Sequence, residues 1–130
     1  MQPDPCEILR GRVGDGLIGS TEENGGLYLR IRPQSILICT SILQSDRSLA
    51  FSSLVDCFAS SEGGGISIYY QLVSYLLGER LFIVTEIPKG ESAQSLTVVF
   101  WNVDWYEREI FETFGVSFID HPNMRPIFQE

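Results

Sequence analysis

The sequence predicts a single α+β domain: a mixed, mainly antiparallel sheet covered by helices, with a C-terminal helix and tail on an interface side. Three observations predict it. "LYLRIR" sets Leu27, Leu29 and Ile31 against Tyr28, Arg30 and Arg32, the period of two of a half-buried strand. "ISIYYQLVSYL" and "LFIVTEI", joined across Gly78-Glu79-Arg80, form two further apolar runs suited to an antiparallel pair. The third is a well-marked helix from Asp104 to Phe114, stopped by Gly115.

Taken in order, residues 1–26 are glycine-rich with little periodicity and predict an irregular N-terminal arm, leaving 27–130 as the folded domain. Pro33 can occupy the first position of a helix, and "QSILICTSIL" places apolar residues at 36, 39, 42 and 43, one helical face. "LAFSSLVDCF" (Leu49 to Phe58) follows as a further apolar run, and Gly63-Gly64-Gly65 turns the chain into "ISIYYQLVSYL". "LTVVFW" carries β-branched and aromatic residues, which favour a strand, yet it leads straight into a helix start.

At that start, Asp104 and Glu107 have the N-cap to N3 spacing of a capping box. With Gly115 left-handed past the end, Phe111 and Val116 take the paired apolar positions of a Schellman motif. Tyr106, Ile110 and Phe114 line one stripe, flanked by Phe111, and Arg108 and Glu112 fall on the other side. Glu107 points into the apolar arc, where an unpaired carboxylate costs several kcal/mol. Two explanations stand open: the capping box, or pairing with Arg125 or His121 folded back from the following segment.

Composition bounds the function. The 130 residues suffice for one domain that buries roughly two thirds of its unfolded surface. A net charge of −8 disfavours a phosphate-tracking groove, so nucleic acid is not an expected partner. No apolar run reaches the roughly 20 residues that cross a bilayer. "MQPDPCEILR" has neither the order of a secretory signal nor the character of a transit peptide. Cys6, Cys39 and Cys57 form no CxxC pair and the chain has one histidine, so reduced thiols and no metal ligands are expected.

Gly14-Asp15-Gly16-Leu17-Ile18-Gly19 matches GxGxxG, but it lacks a preceding buried strand and a following helix, and Asp15, Glu22 and Glu23 would repel phosphate. There is no GxSxG elbow, and Glu109 and Glu112 form a solvated helix face. No catalytic and no cofactor-binding residue is expected.

"DWYEREIFETFGVSFIDHP" resembles, almost position for position, the signature of the hydrophilic 30 kDa-type (C-type) subunit of proton-pumping NADH:quinone oxidoreductase, respiratory complex I, called subunit 9 where mitochondria encode it. That signature runs W-x-E-R-E, a hydrophobic pair, an acidic residue, x-F-G, a hydrophobic residue, x-F and H-P. Trp105, Glu107, Arg108, Glu109, Ile110, Phe111, Glu112, Phe114, Gly115, Val116, Phe118, His121 and Pro122 fill it. Looser similarity extends back to Leu27 and implies that "SLTVVFW" is a short helical segment.

The resemblance implies a structural core subunit of the peripheral arm, binding no cofactor itself, with FMN, iron-sulfur clusters and ubiquinone on other subunits. It implies packing against the larger, D-type subunit of the quinone module and membrane association only through the complex. Trp105, Glu107, Arg108, Glu109, Phe114, Gly115, Phe118, His121, Pro122 and Arg125 become the interface and structural positions. The compartment implied is the matrix side of the mitochondrial inner membrane or, in a bacterium, the cytoplasmic side of the plasma membrane.

The sequence departs from the family at Asp104, usually Asn, at Asp120, usually Gly, and at Pro126, which replaces one of two arginines after H-P. The family also continues past Glu130 through a basic tail that wraps its neighbour, from which a second polypeptide supplying that surface is expected. A free-standing α+β ligand-binding or regulatory module is the alternative from a different class.

Overall fold

The alternation in "LYLRIR" places Leu29 and Ile31 on one side of a strand, and the same inward side recurs along the neighbouring strands. A computed structural model describes residues 3–123. Its strands β1 (Leu17–Glu23), β2 (Gly26–Ile31), β3 (Ser53–Glu62), β4 (Gly65–Ser74) and β5 (Glu79–Ile87) form one sheet in the order β1-β2-β5-β4-β3. All neighbours are antiparallel except β2 and β5, which run parallel. One row across the sheet joins Leu29, Ile83, Tyr70 and Cys57, all at most 5% exposed, so the core is continuous across four strands. The mixed, mainly antiparallel α+β architecture is the one the sequence predicts.

Strand β3 shows how register is protected. Strict alternation from Leu54 would turn Asp56 toward the core; a bulge between Leu54 and Asp56 inserts one residue, and Cys57 faces inward instead. Asp56 accepts a hydrogen bond from the Cys57 N–H at 2.9 Å. The turn to β4 is made by Gly63 and Gly64, at φ 59° and 87°, the left-handed pair that a two-residue hairpin matching the strand twist requires. On the outer face Tyr28 stacks on Phe82 and Phe58 on Tyr69, with centroids 4.5 and 4.9 Å apart.

Pro33 opens a 3-10 turn that runs into α2 (Ile36–Ser45), which buries Ile36, Cys39, Thr40, Ile42 and Leu43. Burial pushes the Cys39 thiol up to about 11 and Cys57 also upward, so both pack as neutral, small hydrophobes.

Residues 1–26 are not an irregular arm within the described residues. Asp4 caps α1 (Pro5–Val13) by accepting from the Cys6 N–H at 2.9 Å, with Pro5 in the first turn, and Leu9 is fully buried. Gly14–Gly16 forms a 3-10 turn between this helix and β1, so the GxGxxG stretch follows a helix and opens a strand. That is the reverse of the order a dinucleotide site needs.

After β5 the chain forms β6 (Ala93–Gln94), then a turn at Leu96–Phe100, then α3 (Val103–Phe114) and β7 (Phe118–Ile119), which pairs parallel to β6. "LTVVFW" is not a strand: the Val99 and Phe100 N–H groups both donate to the Leu96 carbonyl, at 3.0 and 2.8 Å, closing a single helical turn. No helix among the described residues is long and apolar enough to cross a membrane.

Candidate functional site

From the turn into the helix, one inward stripe is continuous. Leu96, Phe100, Val103, Glu107 and Ile110 follow one another at spacings of four and three, and none is more than 4% exposed. This spacing keeps side chains on one face of a helical path, and Glu107 is its only charged member.

The buried carboxylate is held by the turn. Glu107 Oε1 accepts from the Ser95 hydroxyl and Oε2 from the Leu96 N–H, both at 2.8 Å, and Ser95 Oγ lies 3.0 Å from Thr97 Oγ1. The capping-box reading is therefore corrected. The helix begins at Val103 after Asn102, Asp104 lies inside its first turn, and Glu107 reaches to the preceding turn instead. Asn102 donates through Nδ2 to the Leu54 carbonyl at 2.8 Å, fastening the helix start to β3. Burial raises the Glu107 carboxyl to about 7; the Leu96 and Ser95 bonds pull it down, and the nearby Asp104 charge adds to the rise.

His121 closes the cluster from the other side, and its side chain is fully buried. Its Nδ1 accepts from the Asn123 N–H at 2.9 Å, which leaves the proton of the neutral ring on Nε2. Nε2 lies 2.8 Å from Asp104 Oδ1, 3.4 Å from the Asp104 carbonyl oxygen and 3.8 Å from Glu107 Oε1. Of the two partners weighed for Glu107, His121 thus approaches it, while Arg125 lies outside the described residues.

The segment carrying His121 is positioned by backbone. Ala93 N–H donates to the Ser117 carbonyl at 2.9 Å and Ser95 N–H to the Ile119 carbonyl at 3.0 Å. Asp120 then turns the chain at φ 66°, the left-handed region that favours glycine, the residue usual in the resembling family. Gly115, at φ 77°, ends α3 with one bond from its N–H to the Phe111 carbonyl at 2.8 Å, so the stop is the simpler left-handed cap in place of the Schellman form.

The predicted positions therefore divide. Glu107, Phe118 and His121 build the interior, Gly115 shapes the helix end, and Phe114 is half-buried. Trp105 and Glu109 are exposed on α3, Pro122 is exposed beyond β7, and the Arg108 guanidinium carbon stands 5.8 Å from the Trp105 ring centroid. Sequence reasoning missed Ser95, Leu96 and Thr97 as the cradle of Glu107, Asp104 as the neighbour of His121, and Trp101 as a second exposed indole. The four-three spacing of Leu96, Phe100 and Val103, continued upstream from the helix, was the signal available. Among the described residues no group of three or more His, Cys, Asp or Glu side chains is placed to hold a metal ion.

Comparison with known proteins follows the same segment. The family described as respiratory-chain NADH dehydrogenase, 30 kDa subunit, matches residues 29–130. The C-type subunit of NADH-quinone oxidoreductase from Cereibacter sphaeroides is 31% identical over 125 residues, covering 94% of this chain and 62% of that protein. NADH-ubiquinone oxidoreductase subunit 9 of Reclinomonas americana is 29% identical over 109 residues, covering 82% of this chain and 53% of that protein. The chain thus spans a little over half the length of these relatives. A chain in the structure of the membrane-bound sulfane sulfur reductase, an archaeal respiratory membrane complex, superposes with a TM-score of 0.78 at 19% identity, covering 95% of this chain and 73% of that one. That likeness concerns the fold.

Proposed function

The chain belongs to the respiratory-chain NADH dehydrogenase 30 kDa subunit family, and from that premise we propose that it is a structural subunit of the peripheral arm, the quinone module, of a proton-translocating NADH:quinone oxidoreductase. It supports assembly and electron transfer from NADH to quinone without a redox centre or catalytic residue of its own. FMN, iron-sulfur clusters and ubiquinone are assigned to other subunits. Its chief partner in this proposal is the larger, D-type subunit of the quinone module, and it reaches the membrane only through the complex. It works on the matrix side of the mitochondrial inner membrane or the cytoplasmic side of a bacterial plasma membrane.

One observation carries the reading: the most specific residues of the C-terminal segment are spent on architecture. The Glu107 and His121 side chains are buried against a turn and a helix, Tyr106 and Phe114 pack against the core, and Trp105, Glu109 and Glu112 are the aromatic and charged side chains of α3 that face outward. A buried, hydrogen-bonded carboxylate fixes the mutual position of three chain segments, which suits a rigid surface for partners.

The test is native isolation through a tag on the N-terminal segment, identification of the co-purifying chains by mass, and assay of NADH:quinone reductase activity in the eluate. Recovery of the quinone-module subunits with activity is expected. A lone inactive domain overturns the proposal in favour of a free-standing binding or regulatory module.

A further inference from the structure

The turn segment from Leu96 to Asn102 and the helix α3 that follows it together present two apolar sides. The inner stripe is consumed by the core. On the opposite side, at the same spacings of three and four, Val98, Trp101 and Trp105 are 79%, 74% and 50% exposed. Both tryptophans of the chain are therefore on one outward strip. Large aromatic groups held in water on a rigid element mark contact sites, and tryptophan and arginine are the residues that most often dominate them.

The electrostatics of the strip select its occupant. Glu109 lies one helical turn beyond Trp105 on the outer side and is exposed, and the whole chain carries −8. The strip already shows which group its indoles accept, since the Arg108 guanidinium lies over the Trp105 ring. The negative face of an indole attracts a guanidinium, which stacks there and still offers its N–H fork to a carboxylate. A second copy of this chain or an anionic lipid surface would bring more negative charge to the same place and be repelled.

Resting on the reading of the chain as a subunit of a respiratory complex, we infer that the outer strip formed by Val98, Trp101 and Trp105, with Glu109 at its end, docks an arginine-bearing segment of another subunit of that assembly. The arginine side chains lie across the indole faces and meet Glu109.

The experiment introduces a photo-crosslinking amino acid at position 101 in the cell, followed by isolation of the complex and identification of the linked peptide by mass. The expected product joins position 101 to another subunit within a few residues of an arginine. Trp101→Ala and Trp105→Ala are expected to lower retention of the chain in the complex at least about ten-fold, with an unchanged melting temperature of the isolated chain. Glu109→Lys should weaken retention as well, and reversal of the linked arginine to glutamate should restore it. Crosslinks to a second copy of this chain, to lipid alone, or to a segment without basic residues overturn the inference. A complex that assembles while position 101 captures nothing overturns it alone, whereas a chain that never co-purifies with other subunits overturns the parent reading too.

Discussion

At the scale of single residues, Glu107 is the group on which the C-terminal half turns, and its titration has a definite sign. Its folded carboxyl binds a proton up to about 7 against an ordinary value of 4.5, so the folded state holds that proton more tightly than the unfolded chain. The associated stability is complete below about pH 4.5 and is lost as the pH rises through about 7, on the order of 3 kcal/mol in all. Glu107→Gln keeps an acceptor for the Leu96 N–H and should flatten this slope; denaturant unfolding at pH 5 and pH 8 measures it. Glu107→Ala leaves the Leu96 N–H and the Ser95 hydroxyl without their acceptor and should cost about 2–4 kcal/mol at pH 5. His121→Ala removes a fully buried side chain packed against Asp104 and Glu107 and should destabilise the domain by about 2–4 kcal/mol, as read in denaturant melts. The sequence showed that Glu107 faces inward, because helical direction is a local property. Its acceptor role was hidden, because Ser95 and Leu96 reach it only through a turn whose shape is set by packing.

At the scale of elements, legibility followed amphipathicity. β2, β4, β5 and α2 each carry a face that the core uses, and each was predicted in the right state. α1 buries one side chain, Leu9, in nine residues, and β1 has Leu17 as its only buried member, so neither shows a period to detect. Leu9→Ala should nevertheless destabilise the domain by about 2–5 kcal/mol, measured by thermal or denaturant melts, since a fully buried leucine leaves a cavity wherever it lies. Residues 96–100 were ambiguous because β-branched and aromatic side chains favour a strand, while burial of Leu96 and Phe100 favours a turn. Gly115→Ala tests the helix stop. At φ 77° an added Cβ costs about 1 kcal/mol through backbone conformation alone, with open space around it, so the loss should appear in stability without displacement of β7.

At the scale of the whole molecule, the strand order was the part the sequence concealed. Hairpins announce themselves through turn residues, but the parallel pairing of β2 with β5 spans α2 and an entire hairpin, and no local pattern encodes it. Contacts of such long separation slow folding, so refolding of the isolated domain is expected on the millisecond-to-second scale, readable by stopped-flow circular dichroism. The same pairing also imposes an order on synthesis. Chain growth at roughly 5–20 residues per second delivers β1 and β2 seconds before β5 exists to receive them. For that interval β2 waits with one open edge, available to any passing strand. The ribosome, and whatever chaperone meets the nascent chain there, must shelter that edge until Leu81–Val84 emerges to pair with it.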